Sequence, residues 1–329
     1  MNGDRTGIAQ DPRRGRRKLP ATPTEDEASM QRRGALFTSV YVCAFTAYAC
    51  FSISDAFTKA LHGPLSVFEI GFFENLFAVL VLLNTRHDDE RWRDFWKMSR
   101  PWPVHLRAIC GVCSSLCAIY AFTTVPLVDA YSLIFLAPFF VTIMSVLVLK
   151  EYVGPWRWFA VALGFVGVLL AVKPGFQTLE LGHLSAAIAG LSSGASIIIV
   201  RSLGSGAKKT SVLGMLFAYL VAFNTVAMLI KGFVVPSAHD FLCLVLSGLA
   251  VGFGQLAFVT AARNGSANQI APVAYSQLGW AMLFGIIVFA EFPDALAILG
   301  VGVIAFAGLL TALRERLRRI RAATPPGIR

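Results

Sequence analysis

Charge is scarce in this chain: Asp, Glu, Lys and Arg make up 15% of its 329 residues, against 56% apolar ones. A soluble chain of this length would fold as about two or three domains with roughly a quarter of its residues charged, so that class is excluded. The sequence has no glycine-rich phosphate loop followed by Lys-Ser or Lys-Thr, and no soluble nucleotide-binding domain, which argues against ATP as an energy source. The histidines form no cluster with metal-ligand spacing, since His62, His105, His183 and His239 stand near the ends of apolar runs and His87 in a loop. No grouping of His, Asp and Arg gathers at one membrane face. A lipid-modifying membrane enzyme is therefore the weaker alternative, and no cofactor or metal is expected. Alternating ten-residue segments of an outer-membrane barrel are absent as well.

What is present is a mean hydropathy of +0.65, concentrated in apolar runs of about 20 residues, the length that crosses a bilayer core. Ten such spans are expected, at 35–61, 65–84, 104–125, 127–149, 156–173, 183–203, 211–231, 240–262, 267–290 and 294–313. Lipid offers the backbone no hydrogen-bond partners, so each span should be a helix. The fold class read from the chain is thus an all-α polytopic membrane protein with ten transmembrane helices.

Orientation follows from the bases, which are retained in the cytoplasm. With the N-terminus inside, only Lys59, Lys173 and Lys231 of the 29 Lys and Arg fall on the far side, and both termini are cytoplasmic. The net charge of +10 then needs no nucleic-acid partner. Residues 1–34, with RRGRRK and TPTEDEAS, read as a disordered basic tail; 314–329, RERLRRIRAATPPGIR, read as a second cytoplasmic one. The first apolar stretch is too long for a cleaved signal and should remain as a span.

The chain also repeats itself. AFTT (121–124) returns as AFVT (257–260), Glu151 as Glu291, and GFVGVLLAV (164–172) as AFAGLLTAL (305–313). Five spans per half is an odd number, so the halves should be inverted. Lys150 and Arg157 flank the first of these turns, whereas EFPDA in the second carries no base, as inversion requires.

Residues 106–175, LRAICGVCSSLCAIYAFTTVPLVDAYSLIFLAPFFVTIMSVLVLKEYVGPWRWFAVALGFVGVLLAVKPG, together with 271–300, APVAYSQLGWAMLFGIIVFAEFPDALAILG, resemble the paired EamA domains of the drug/metabolite transporter superfamily. The resemblance implies two inverted five-helix EamA repeats, 35–175 and 183–313, around a central cavity. It further implies a multi-pass carrier of the cell inner membrane that moves a small-molecule substrate by alternating access. Members of the superfamily move amino acids, S-adenosylmethionine, riboflavin or nicotianamine-like metallophores, so import of a polar metabolite and export of an amino-acid-derived one both stay open. A coupling proton or ion is a candidate partner. The chain departs from related members at Glu74, where they often carry Arg.

Candidate site residues are polar groups inside spans, because an ionised side chain at helix centre costs about 3 kcal/mol. Glu74, beside Asn75 in span two, is the leading one, as a substrate-amine partner or proton carrier against a structural ion pair. Asp55 stands four residues before Lys59, a spacing that favours an intrahelical ion pair over direct substrate contact. Glu69 is expected to be wet. Span nine carries Asn268, Gln269, Tyr275, Gln277 and Trp280. Tyr275 and Gln277 are about 200° apart on a helix and cannot face one cavity unless Pro272 distorts it. Pro272 and Pro138 should break spans nine and four, freeing the carbonyls of Asn268 and Ile134. Tyr120, Gln255 and Asn224 are weaker candidates, each read first as an interhelical hydrogen bond. Glu151 and Glu291 are expected to be structural, capping the next helix or taking a neighbouring base. Gly190-xxx-Gly194 and Gly248-xxx-Gly252 should serve internal packing, and Cys110, Cys113 and Cys117 act as small apolar residues.

This topology predicts that reporters fused at the two termini report the same, cytoplasmic face, and that tags at Lys150 and Glu291 report opposite faces. Termini on different faces would refute it.

Overall fold

An unpaired backbone amide in hydrocarbon costs several kcal/mol, so long apolar runs close their hydrogen bonds within themselves. Among the described residues these helices do so: α1 (Glu25–Ala60), α2 (Val67–Leu83), α3 (Pro101–Thr124), α4 (Leu127–Ile134), α5 (Ala137–Leu147), α6 (Pro155–Val172), α7 (Leu181–Leu203), α8 (Lys209–Lys231), α9 (Ala238–Asn264), α10 (Ser276–Phe289) and α11 (Ala295–Ala323). The structure is a computed structural model that describes residues 25–61, 65–83, 96, 98, 100–150, 152–173, 178–203, 209–264, 270 and 273–323. No strand occurs among the described residues. Residues 1–24 and 324–329 of the expected tails, and His62, His87, Glu151, Asn268, Gln269 and Pro272, lie outside them.

Among the described residues, seven segments are long and apolar enough to cross a membrane: Val40–Ala60, Pro101–Thr124, Leu127–Leu147, Pro155–Val172, Leu181–Val200, Thr210–Lys231 and Ala238–Phe258. Ser276–Phe289 and Ala295–Thr311 are shorter apolar helices, and α2 has 17 residues. The chain is a multi-pass membrane protein. At its start, α1 takes in residues expected to be irregular tail.

Local chemistry sets the helix ends. Proline occupies the first turn of α3, α5 and α6, where its missing N–H is no loss. The start of α2 is a capping box: Glu69 Oε2 accepts the Ser66 N–H at 2.7 Å, and Ser66 Oγ accepts the Glu69 N–H at 3.3 Å. Glu69 Oε1 also accepts the Val234 N–H at 2.6 Å. The side chain expected to be wet is 0% exposed, and both of its oxygens accept hydrogen bonds inside the protein.

Span four breaks as Pro138 predicts. Helix α4 ends at Ile134 and α5 resumes at Ala137 with the proline in its first turn. The Ile134 carbonyl loses its helical donor, since Pro138 has no N–H. Gly190 of α7 packs on this break, and a Cβ there would meet the Ile134 and Leu133 oxygens at 2.9 and 3.1 Å. Gly194 packs on Ala137 and Phe140 of α5, while Gly248 and Gly252 of α9 pack on Glu74, Phe77 and Val81 of α2. Both small-residue pairs therefore serve contacts inside the chain.

Helix α3 runs along α7, α6 along α11, and α2 along both α8 and α9. The main apolar core joins the end of α3 (Ala121, Phe122) and α4 (Leu127, Val128, Tyr131) to Val168 of α6, Leu278 of α10 and Ile304 of α11. The α6–α11 contact is tightest at paired glycines. A Cβ on Gly300 would lie 2.5 Å from the Ala171 nitrogen and 2.6 Å from the Gly167 oxygen. Both obstacles are backbone and cannot turn aside, so Gly300→Leu should force the helices apart at a cost of about 1–3 kcal/mol or more. Thermal unfolding in detergent should show a clearly lowered midpoint, while Gly302→Leu, with nothing near its Cβ position, should be neutral.

Candidate functional site

A cavity of about 580 Å³ lies against the break in span four. Ile134, Phe135, Leu136 and Pro138 form one wall, with Tyr48 and Asp55 of α1, Phe165 of α6, Tyr275 and Gln277 around the start of α10, and Gly308 of α11. Most of this lining is apolar or aromatic, as in many small-molecule sites. Phe135 stacks on Tyr275, with ring centroids 5.2 Å apart at 29°, and Phe139 stacks on Phe165 at 5.6 Å.

Tyr275 and Gln277 both line the cavity. Tyr275 is the N-cap of α10, with right-handed helical dihedrals of φ −66° and ψ −13°, and its carbonyl accepts the Leu278 N–H at 3.1 Å in a tighter turn. Pro272, expected to distort this span, lies outside the described residues.

The polar centre of the cavity is Asp55. Its carboxylate accepts the Tyr131 hydroxyl, Ser52 Oγ lies 3.4 Å from the same hydroxyl, and Gln277 is a further side-chain partner of Tyr131. A tyrosine from α4 thus holds an acid on α1 against an amide on α10. Arg157 and Thr311 line the cavity further along, Arg157 in the first turn of α6. Tyr48, Tyr131, Arg157 and Thr311 were not singled out from the sequence. Tyr131 carried the one usable signal, as a hydroxyl-bearing aromatic two helical turns before Pro138.

The expected Asp55–Lys59 ion pair does not form. Lys59 Nζ pairs instead with Glu291 Oε1 at 2.8 Å, donates to the Val125 carbonyl at 2.8 Å and lies 5.4 Å from the Phe289 ring centroid. One carboxylate on its own helix could not have satisfied three ammonium protons in a site 6% exposed. Glu291 reaches Lys59 because Ala290 adopts the left-handed conformation at φ 53°. This closes a helix-ending turn in which the Glu291 N–H donates to the Gly285 carbonyl at 2.8 Å. Glu291 Oε2 also accepts the Leu127 N–H at 3.3 Å, at the start of α4. It therefore takes a base, as expected, but caps α4 and not the helix that follows it. That helix, α11, is capped by Asp294, whose Oδ1 accepts the Ala297 N–H at 2.9 Å. Its carboxyl is held below the ordinary value first by the hydrogen bond from Lys173, then by that N–H.

The other predicted residues stand apart from the cavity lining. Glu74 is half-buried on α2, near enough to Asp55 for their charges to interact. Asn75 spends its amide on the Gly71 carbonyl at 2.7 Å. Asn224 likewise bonds within its own helix, to the Leu220 carbonyl at 2.8 Å, and not between helices. Tyr120 and Gln255 are half-buried on α3 and α9. Trp280 stacks on Phe284 at 5.8 Å and packs on Phe45 at 5.7 Å. The structure thus brings Asp55, Tyr275, Gln277 and Pro138 together and leaves Glu74, Asn75, Tyr120, Gln255 and Trp280 outside.

Residues 38–173 match the EamA-like transporter family. The matched stretch takes in Asp55, Lys59, Tyr131 and the broken span four. Relatives extend over more of the chain. It is 27% identical over 280 residues to an uncharacterized transporter of Helicobacter pylori (strain J99), covering 83% of this chain and 94% of that one. It is 27% identical over 267 residues to the S-adenosylmethionine uptake transporter of Rickettsia prowazekii, covering 80% and 89%. It is 28% identical over 221 residues to the riboflavin transporter of Rhizobium johnstonii, covering 67% and 73%. A solved crystal structure superposes with a TM-score of 0.59 at 16% identity, over 87% of this chain and 99% of that one, a likeness of fold alone.

Removing one member of a largely buried ion pair strands the other. Lys59→Met should therefore destabilise the protein by about 3 kcal/mol, and adding Glu291→Leu should recover most of the loss. A double-mutant cycle on thermal unfolding checks this, and strictly additive losses would contradict it.

Proposed function

We propose that this protein is a secondary transporter that carries a small polar metabolite across the inner membrane by alternating access. The observation that supports it best is the cavity at the span-four break, where aromatic walls surround one carboxylate, Asp55, held by Tyr131, itself a partner of Gln277. A ligand-sized, mostly apolar space with a few convergent polar groups is the form of a small-molecule site. Broken helices near the midplane are where carriers place theirs. The names of the relatives point the same way, towards transport and not catalysis.

The ten-crossing architecture belongs to this proposal: two inverted five-helix EamA halves, with both termini cytoplasmic. Two helix pairings favour it. Counting α4 and α5 as one broken crossing, α2 with α9 is second with eighth, and α3 with α8 is third with seventh. Exchanging the halves turns one pairing into the other, as a twofold axis between repeats requires. In the form described here, Lys59 and Glu291 close the end about one helical turn beyond Asp55, while Arg157 and Thr311 line the far part of the cavity. Import and export use the same two states, so direction is set by gradients and not by these residues.

A lone carboxylate at the polar centre favours a substrate with an amine or other cationic group, and it gives Asp55 the role first considered for Glu74. S-adenosylmethionine and amino acids meet that description; riboflavin would rely on the aromatic walls. Proteoliposome uptake of these compounds is the test. Asp55→Asn should lower transport of an amine-bearing substrate by about tenfold or more, the value of one hydrogen bond to a charged group, while Glu74→Gln should change it by less than about twofold. Equal uptake by Asp55→Asn and the unaltered protein would remove Asp55 from the site.

A further inference from the structure

We infer that Asp129 and His183 form a proton-binding site inside the closed end of the protein, coupled to the opening of that end. The inference rests on the transport reading for its purpose but not for its chemistry. A second chamber, of about 280 Å³, lies at this end, bordered by Asp129, Lys173, Glu291 and Asp294. Lys59 is paired with Glu291, and Lys173 with Asp294. These two pairs balance. Asp129, in the first turn of α4, is the one formal charge left over among these groups.

Its neighbour is set up to respond. His183 Nδ1 accepts the Glu180 N–H at 3.0 Å, so the neutral ring carries its proton on Nε2. That nitrogen faces Asp129 Oδ2 across 3.8 Å, beyond hydrogen-bond reach. It has no other hydrogen-bond partner. The two side chains are only 9% and 10% exposed. A buried donor without a partner therefore faces a buried carboxylate that is paired with no Lys or Arg among the described residues, an arrangement that costs free energy.

One proton relieves it. Bound by the Asp129 carboxylate, since His183 Nδ1 is taken by the Glu180 N–H, it brings the local charge to zero while the carboxyl keeps an oxygen that can accept from His183 Nε2–H. Of the other groups facing Asp129, Lys173 attracts and Glu291 repels the ionised form, and Lys59 and Asp294 stand behind them. Neutralising Asp129 releases its hold on Lys173, and with it one of the charge contacts that draw the starts of α4 and α11 and the end of α6 together. Proton loading thus loosens the closure.

The test uses full-length protein in lipid nanodiscs and needs no substrate. First, the imidazole nitrogens of His183 and the carboxyl carbon of Asp129 are followed by NMR from about pH 8 to about pH 5, a range in which a buried carboxylate can take up a proton. Second, Val128→Cys, placed at the buried edge of the chamber in a background without the native cysteines, is labelled with a maleimide over the same range. We expect the Nε2-protonated tautomer of His183, and signals of both residues that move together as Asp129 takes up its proton. Labelling should rise by about tenfold, the effect of one pK unit of linkage. Asp129→Asn should label at the acid rate at every pH. His183→Gln, a milder change, should also flatten the pH response and guards against misfolding of the first variant. Unmoved signals, or a labelling response that survives both substitutions, would overturn the inference. A lost pH response with intact uptake removes this site alone; an intact response with no uptake of any tested compound removes the transport reading alone.

Discussion

Everything in this structure depends on one constraint: inside a bilayer the protein is its own only source of hydrogen-bond partners. That is why every described apolar run is helical. It is also why departures from the helix carry information. The two places where a span loses its regular ladder, at Phe135–Leu136 and at Tyr275, lie side by side, stacked ring on ring. At the first of them Gly190 is pressed against the freed Ile134 carbonyl. Irregular backbone at membrane depth is tolerated in such places, and the cavity has formed there.

The same constraint sorts the charged side chains. Several are held in pairs or caps: Lys59 with Glu291, Lys173 with Asp294, and Glu69 in its capping box. Lys59 and Lys173, two of the bases expected on the far side, thus meet the two acids of the base-free turn EFPDA. Within the cavity the acid Asp55 instead meets the phenol of Tyr131, which leaves it the capacity to accept from a ligand.

Much of the fold was legible in the sequence because hydrophobic length, proline and glycine act locally. Span positions, the break before Pro138 and the internal role of Gly190 and Gly248 all follow from rules that need only neighbouring residues. The capping box at Ser66 and Glu69 was equally local and was missed because Glu69 was judged by its distance from the surface. The site was far less legible. Asp55 and Lys59 have the spacing of a helical ion pair, yet their partners, Tyr131 and Glu291, are about 76 and 230 residues away along the chain. Glu74 was ranked first because intramembrane charge is rare, but rarity says nothing about which way a helix is turned. Tyr275 and Gln277, about 200° apart on a regular helix, nonetheless both border the cavity.

The composition of the cavity wall has a thermodynamic consequence. Rings such as Phe135, Phe139, Phe165 and Tyr275 hold water poorly, and only a few polar atoms around Asp55 and Tyr131 can order it. A ligand that displaces this water loses few hydrogen bonds and covers a large apolar area, so its binding should carry a negative heat-capacity change whatever the sign of the enthalpy. Affinity would then come chiefly from the fit of the ligand's apolar body, and selectivity from one carboxylate.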